Sequence, residues 1–566
     1  MQLKFIYLAA GILAGICCLH SCVEINEELG KEYIPYRHQY DVYMDTLYLQ
    51  DIRLGKTDSL SGYSSSRITI GAVRDNVFGL TKRSSAFTII PMSREMDFGD
   101  NPRCTQFHFS IVRDTLSWPD ESQEHIIQNI NVFKLTEKLG DDANYLVSAG
   151  KLKTGERVAP VFSYFGQDTL SFDFNTSFGD EYIAAIREMK LDTTSVNTYT
   201  EDLPGIYITV DDPISEGGRI NIFELPLQVS DETYYITGNY AELKFRSDYG
   251  NRHDVDSSFL FFFGAADMQV YEDTENEYVT PSQTSQSALN LAEAGELTAG
   301  MDKAADKIYI EGGSGVKPVI SSQEIKEKLE AIFEEKGINP ENVIIHKASV
   351  ILPYEFDQSE YDKMYLYPDR LSPSCRLSLT NDETGEDYVT FAGLTDYGVE
   401  SENQGDINKS LECYAPDVSH HVQEILRRAD ESNYRDFDIW MLTMANETVE
   451  SQSQDNSALS QYYQNLAYYD YYNSLYNPYG YGGYYGGYYG GYYDSYYGMS
   501  NYYNYMLAAQ YASSSSSQTT VSMQLDKDRY YRGVLCGPEA APSADGTDKY
   551  PRLTVTYSVS KTAGEE

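Results

Sequence analysis

The sequence predicts a mainly β protein of two β-sandwich, jelly-roll-like domains, with a few short helices and a disordered Tyr/Gly-rich insert. Apolar and polar residues alternate with a period of two in several separate segments, which is typical of half-buried strands. Gly, Asn and Asp separate these segments, as in sandwiches and jelly rolls. Helical signals are few, and two short helices are expected.

The first element along the chain is a secretion signal in residues 1–21. One cation, Lys4, precedes an apolar run from Phe5 to Leu19, and this run is shorter than the roughly 20 residues of a membrane-spanning helix. The run ends in Leu-His-Ser-Cys, which resembles a bacterial lipobox. We therefore expect cleavage before Cys22, acylation of Cys22 and a tether over residues 22–44. The alternative is an ordinary cleaved signal peptide.

The first β-sandwich domain is expected over residues 45–270. In the segment TQFHFSIV, alternation predicts one strand face made of Thr105, Phe107, Phe109 and Ile111. Residues 271–304 are polar and lack sustained periodicity, so we interpret them as a linker between domains.

The second β-sandwich domain is expected over residues 305–566. Strand faces are predicted for Ala348, Val350, Leu352, for Phe437, Ile439, Met441, and for Leu553, Val555, Tyr557, Val559. A helix over 322–336 should begin with the capping box Ser321–Glu324 and end at Gly337. A second helix is predicted from an apolar stripe formed by Val418, Val422, Ile425 and Leu426.

Residues 446–520 form a low-complexity Tyr/Gly/Ser insert between two strand-like segments, which predicts a very long hairpin loop. The unit GGYY is repeated near residues 482–493, and only Asp470 and Asp494 are charged between 461 and 511. Tyrosine offers a stiff aromatic surface with a hydroxyl, so this neutral stretch could contact a partner. The candidate contact residues are Tyr484, Tyr485, Tyr488, Tyr489, Tyr492 and Tyr493. The alternative is a passive expansion that has no partner.

The net charge excludes some classes of partner. The chain carries 86 Asp plus Glu against 43 Lys plus Arg, a formal charge of −43. Such a chain repels the phosphates of nucleic acids, and we expect no nucleic-acid partner. The same charge argues against a soluble part that lies on anionic lipid.

No catalytic, cofactor or metal site is expected from the sequence. Phosphate-binding and nucleophile-elbow motifs are missing, and EGGSGV at 311–316 is interpreted as a turn. His420 and His421 are adjacent and would point about 100° apart on a helix, so we interpret them as its polar edge. Four cysteines follow Cys22 and have no metal-binding spacing: Cys104, Cys375, Cys413 and Cys536. They are expected to be free buried thiols or to include one disulfide.

Several blocks together resemble a known family. They are GAVRDNVFGLTKRSSAF with Gly71, Asp75, Phe78, Gly79 and Thr81, then NINVFKLTEKL, PGIYITVDDPISEGGRINIFEL, IYIEGGSGVKPVI, VIIHKASVILPYE, YAPDVSHHVQEIL, and YYRGVLCGPE with YPRLTVTYS. In this order they are similar to Bacteroidota lipoproteins catalogued as domain of unknown function 4270. The resemblance implies an exported, lipid-anchored protein rich in β-structure, and it implies no activity or site residues.

The expected function is that of a non-catalytic lipoprotein, anchored in the outer membrane and displayed on the cell surface, with a structural, assembly or surface-interaction role. Glu24, Glu27 and Glu28 follow Cys22 and resemble the surface-export signal of Bacteroidota lipoproteins. Its partners would be the outer membrane through the lipid anchor, and another envelope protein or a glycan. The alternative is a surface glycan- or ligand-binding lipoprotein, because the C-terminal blocks also resemble jelly rolls of secreted bacterial proteins.

Overall fold

The structure is a computed structural model. It describes residues 40–57, 62–64, 67–91, 96–114, 126–139, 152–189, 203–225, 239–264, 288–293, 297, 304–356, 364–380, 387–394, 404–451, 518–540 and 549–560. The expected signal peptide, Cys22 and the six candidate contact tyrosines lie outside these residues.

Strands dominate the described residues, so the mainly β prediction is confirmed. The strands are β1 (Tyr40–Tyr48), β2 (Ile52–Lys56), β3 (Tyr63–Ser64), β4 (Arg67–Asp75), β5 (Gly79–Pro91), β6 (Asp100–Val112), β7 (Gln128–Leu135), β8 (Thr154–Arg157), β9 (Phe162–Tyr164), β10 (Thr169–Phe174), β11 (Ile206–Val210), β12 (Gly217–Glu224), β13 (Tyr240–Tyr249), β14 (Arg252–Gly264), β15 (Ala288–Glu293), β16 (Lys307–Glu311), β17 (Val316–Ile320), β18 (Val343–Pro353), β19 (Leu371–Thr380), β20 (Asp387–Gly393), β21 (Ile407–Asn408), β22 (Cys413–Tyr414), β23 (Ile439–Ser451), β24 (Gln518–Leu525), β25 (Arg532–Cys536) and β26 (Arg552–Ser560). The α-helices are α1 (Thr176–Met189), α2 (Ser322–Glu335) and α3 (Ser419–Arg428).

The strands form two units. The first unit, residues 62–293, holds a 13-stranded antiparallel sheet system with the main order β10-β6-β13-β14-β5-β11-β7-β8. The second unit combines residues 40–57 with residues 304–560. It contains a five-stranded sheet, β1-β26-β18-β22-β21, a six-stranded sheet, β2-β17-β23-β19-β20 with β24 on β23, and the pair β16-β25. The first unit is thus inserted between β2 and β16 of the second.

This pairing corrects the expected boundaries. The tether over 22–44 and the first domain over 45–270 were wrong at β1 and β2, which pair with β26 and β17 of the second unit. The linker over 271–304 was wrong at β15, which pairs with β5 in the first unit. The domain expected over residues 305–566 is therefore incomplete, because two of its strands, β1 and β2, lie near the start of the chain. The physical reason is that alternation indicates which face of a strand is buried, whereas the partner strand is set by long-range packing.

A phenylalanine-rich core fills the first unit. Phe107 and Phe109 are fully buried on β6, and α1 packs Tyr182 onto this core with its ring 5.2 Å from that of Phe107. Thr105 was predicted on the same face and is exposed. The register of β13 against β6 shifts here, so that Lys244 faces Gln106 and Phe245 faces Cys104. Thr105 is the extra residue of this bulge and leaves the alternating pattern, and the side chain of Cys104 is buried in its place.

The core of the second unit lies between its sheets and α2 and α3. The predicted faces of β18 and β26 are confirmed, since Ala348, Val350, Leu352, Leu553, Val555 and Tyr557 are fully buried. Helix α2 begins as predicted, because the side chain of Ser321 accepts from Glu324 N. The carboxylate of Glu324, however, accepts from the backbone amides of Gln50 and Asp51, at 2.8 Å each, and so ties α2 to the β1–β2 connection.

The two strands predicted on either side of the low-complexity insert form a hairpin. β23 and β24 pair antiparallel, with Ser451 opposite Gln518. The predicted limits of 446 and 520 were therefore wrong by several residues at each end, because the strands extend into polar sequence. Among the described residues, no helix is long and apolar enough to cross a membrane.

Candidate functional site: a buried charged seam between the units

The clearest concentration of charged side chains inside the fold lies where the two units meet. The β4–β5 hairpin of the first unit packs against β16, β17 and β25 of the second. At the hairpin tip, Phe78 is 4% exposed and meets Tyr309 edge-to-face with ring centroids 5.8 Å apart. Val316 completes this small apolar cluster. We call the surrounding set of buried charges the seam: Arg83, Glu311, Lys317, Asp526, Asp528 and Arg532.

Lys317 lies at the centre of a ring of backbone carbonyls. The β16–β17 turn was predicted as a turn, and it curls around this lysine, which is fully buried. Its Nζ donates to the carbonyl oxygens of Glu311, Gly313 at 3.1 Å and Gly315 at 3.2 Å. A buried ammonium needs such acceptors, since an unpaired buried charge costs several kcal/mol. The turn is thus organised by the lysine that follows it.

The first unit contributes Arg83 to the other side of the same turn. Its side chain is 3% exposed and lies against Gly313, where an added Cβ would come within 1.9 Å of Nη2. Gly313 also has φ +61, a conformation that favours glycine. The carbonyl of Gly313 accepts from Oγ1 of Thr57, the residue after β2, at 2.7 Å, so the end of β2, Arg83 of β5 and the turn meet at one glycine.

Arg532 connects the hairpin of the first unit to Glu311. Its Nη2 donates to Thr81 Oγ1 at 2.8 Å, and Thr81 Oγ1 in turn donates to Glu311 Oε1. Arg532 Nη1 lies 3.4 Å from Asp75 Oδ1, and its guanidinium lies 4.6 Å from the centre of the Phe78 ring. These contacts combine an ion pair with a cation–π interaction across the boundary between the units.

Two aspartates complete the seam after β24. Asp526 accepts from the hydroxyl of Tyr531 at 3.0 Å and from Nη1 of Arg529 at 3.0 Å. Asp528 lies 3.4 Å from the side-chain amide of Asn290 on β15 and 3.9 Å from Arg67 Nη1 on β4. The second unit therefore places the carboxylate of Asp528 against an amide and a cationic group of the first unit, while Asp526 binds partners within its own unit.

Burial controls the electrostatics of the seam. Desolvation lowers the pKa of Lys317 to about 7, opposed mainly by the negative charge of Glu311. Burial likewise lowers the pKa of Arg83 and raises the pKa of Asp528. A lysine with such a pKa is a nucleophile or a base where it is accessible. Here the amine is fully buried and donates to three carbonyls of its own turn, so its hydrogen bonds stabilise that turn.

Three blocks quoted from the sequence meet in this seam. Phe78 of the first block packs against Tyr309 of a later block. Thr81 of the first block forms hydrogen bonds with Glu311 and Arg532, which belong to two later blocks. Asp75 caps the hairpin turn, since its Oδ1 accepts from the backbone amides of Val77 at 2.7 Å and Phe78 at 2.9 Å. Phe78 and Thr81 therefore join the two units, and Asp75 fixes the turn that presents them.

Sequence reasoning missed the charges of the seam. Arg83, Glu311, Lys317 and Arg532 were not singled out, because the chain has an excess of charged residues and long-range partners cannot be read from spacing. One signal was available: Lys317 is the single charge in the apolar strand VKPVI, which implies a buried, partnered lysine.

Of the two adjacent histidines on α3, His421 does not lie where the sequence predicts. His421 was expected at the polar edge of α3, but it is fully buried, and its Nε2 lies 2.8 Å from the carbonyl oxygen of Phe437. Burial lowers its pKa to about 4. Within the described residues no group of three or more His, Cys, Asp or Glu is placed to hold a metal ion.

The four cysteines are free and buried, which decides between the two alternatives left open by the sequence. Burial raises the pKa of Cys104 and of Cys375 to about 12 and that of Cys536 to about 11, and it also raises the pKa of Cys413. Thiols of this kind are unreactive in the folded protein.

In comparisons with known proteins, no family model, no curated protein and no solved structure matches the chain.

Proposed function

We propose that the chain is a non-catalytic lipoprotein, anchored in the outer membrane through Cys22 and displayed on the cell surface, with a structural, assembly or surface-interaction role. The closed seam is the observation that carries the non-catalytic part of this proposal. Of the buried charges that would otherwise suggest catalysis, Lys317 donates to carbonyls of its own turn. Arg532 donates to Thr81 of the first unit and lies 3.8 Å from the Glu311 carboxylate. The N-terminal sequence supports anchoring and export.

Cell fractionation tests the location. The native protein should sediment with membranes and be cleaved when intact cells are treated with protease, whereas Cys22→Ala should appear in the soluble fraction. The matched control is Cys104→Ala, which removes a buried thiol inside the fold and should leave the protein in the membrane. Protection from protease in intact cells, with full cleavage after lysis, would contradict surface display.

Ligand binding is a second candidate function, and one observation favours it. Trp440 on β23 and Phe391 on β20 form a half-buried edge-to-face pair with centroids 5.3 Å apart. The Trp440 ring lies over Gly55, where an added Cβ would come within 2.4 Å of the ring. Half-exposed aromatic rings are suited to stacking against sugars. Screening the mature protein on a glycan array, with Trp440→Ala as the comparison, tests this candidate: binding that Trp440→Ala abolishes would support it, and a blank array would contradict it.

A further inference from the structure

The outer face of the five-stranded sheet exposes an unusual apolar surface. On β1, which has no strand partner on its outer side among the described residues, alternate side chains point outward: Tyr40 is 40% exposed, Val42 66%, Met44 76% and Tyr48 54%. Val42 is aligned through Ser558 with Ile344 on β18, which is 41% exposed. Soluble proteins rarely expose contiguous apolar side chains of this size without a partner.

On this face the three strands β1, β26 and β18 carry no acidic residue, and Asp417, opposite Ser349 at the far edge, is the nearest acid in the register. We call this surface the β1 face. Its positions, of which Ser558 and Ser349 are buried, are Tyr40, Val42, Met44, Thr46 and Tyr48 on β1, Arg552, Thr554, Thr556, Ser558 and Ser560 on β26, and Ile344, His346, Lys347, Ser349 and Ile351 on β18. None of these positions is Asp or Glu, in a chain with 86 acidic residues among 566. The fixed charges that these three strands place on this face are the cations Lys347 and Arg552, while the carboxylate of Asp417 at the edge accepts from the backbone amide of Ser419. The two acids of β1 have the opposite parity, and Asp45 pairs with Lys336 on the inner side.

We propose that the β1 face is a membrane-docking surface that lies on the lipid headgroups. Three features on the face fit a lipid surface. The face is a single side of an antiparallel sheet, so its side chains project toward one plane. Tyrosines at both ends of β1 flank Val42 and Met44, which is the order of amphipathic and apolar groups at a membrane interface. Its two cations suit anionic headgroups, which the rest of this acidic protein would repel.

The position of β1 in the chain brings lipid within reach. β1 is the first described element after Cys22, and the 18 residues from Cys22 to Tyr40 span at most about 60 Å when extended. The proposal rests on the proposed lipid anchor only for this proximity. A docked face therefore adds a second membrane contact close to the lipid anchor.

Chemical tethering tests the β1 face independently of acylation in cells. The mature chain, residues 22–566, is coupled through the thiol of Cys22 to maleimide lipid in vesicles of phosphatidylcholine and phosphatidylglycerol. The other four thiols of this chain are buried with raised pKa values, so they do not compete. The readout is the rate of peroxide oxidation of Met44, compared with uncoupled protein. The substitution Ile214→Met adds a reference methionine at a site that is 101% exposed in the first unit.

We expect Met44 to be oxidised at least about threefold more slowly on vesicles, because its exposed side chain becomes buried in the interface, while the reference methionine is unaffected. Val42→Glu should abolish this protection, and Ile127→Glu should not. These two sites are matched, since Val42 is 66% and Ile127 67% exposed. Lys347→Glu, which leaves β1 intact, should weaken the protection as well.

Equal oxidation rates with and without vesicles would overturn the proposal, as would equal slowing of both methionines. Loss of protection with Ile127→Glu would show a general charge effect and would also overturn it. Protection that appears in uncoupled protein and grows with protein concentration would assign the face to contact between copies of the chain. Since the tether is chemical, a negative result leaves the acylation of Cys22 to its own measurement.

Discussion

Removal of residues 1–57 should unfold the second unit, although the sequence assigns residues 22–44 to a tether and residues 45–57 to the other domain. The deletion takes away β1 and β2, which pair with β26 and β17. It also removes Leu47, Leu49 and Ile52, which are 0 to 3% exposed. Burial of one such side chain contributes about 1.5–3 kcal/mol, so the loss is about 5–9 kcal/mol. This is comparable with the whole stability of a typical domain, about 5–15 kcal/mol.

Urea unfolding followed by circular dichroism measures this loss. The matched control begins at residue 39, so that the chain loses most of the expected tether and keeps both strands, and it should unfold like the parent. A circular permutant provides a rescue. Because Tyr40 faces Ser560 in the antiparallel register, residues 40–57 can be attached after residue 560 through a short turn. The permutant should regain a cooperative transition.

An unchanged midpoint in the chain that begins at residue 58 would refute this reasoning. It would mean that β1 and β2 only lie on a second unit that is stable without them. Loss of folding in both the permutant and the control would equally contradict the strand pairing.

Four further perturbations test the seam, the insert and the thiols. Gly313→Ala should destabilise the protein by several kcal/mol in urea titrations, since its Cβ would meet buried Arg83 at 1.9 Å. The control is Gly337→Ala, at a glycine with φ +68 and open space around it. It should cost only about 1–2 kcal/mol, because an alanine is strained in this backbone conformation. Lys317→Met should flatten the pH dependence of Tm above pH 7. Because the pKa of Lys317 is lowered to about 7 in the folded protein, between about pH 7 and 10 the unfolded chain binds one more proton than the folded chain, and the parent gains stability as the pH rises. A parent protein whose Tm is flat over this pH range would contradict the prediction. Replacement of residues 452–517 by an Asn-Gly turn should shift Tm by no more than a few degrees, and global unfolding would show that the insert belongs to the core. Native protein should leave the four buried thiols unreactive toward a disulfide reagent until it is denatured, and prompt reaction would contradict their burial.

Local pattern predicted much of the fold. β18 and β26 followed from alternation, and α2 followed from its cap and its apolar stripe. Helix α1 was missed although Phe178, Tyr182 and Ile186 recur at helical spacing and are buried. Such signals are local, because a cap or a periodicity is satisfied within one element.

Connectivity and the sites could not be predicted in the same way. The pairing of β1 with β26 joins residues more than 500 positions apart, and no local feature specifies it. The seam depends on charges from both units, so Lys317 has a reason to be buried only after Arg83 and Glu311 are placed near it. The β1 face was partly readable, since Tyr40, Val42 and Met44 alternate, but the interpretation of this segment as a tether concealed it.

The lipid anchor on Cys22 is the central claim, and the mass of the N-terminal peptide tests it most directly. The protein is extracted from membranes, digested, and its first peptide analysed by mass spectrometry. We predict a peptide that begins at Cys22 and carries the added mass of acyl chains. A peptide that begins at Cys22 or later without acyl chains, or one that still includes residues 1–21, would contradict the claim.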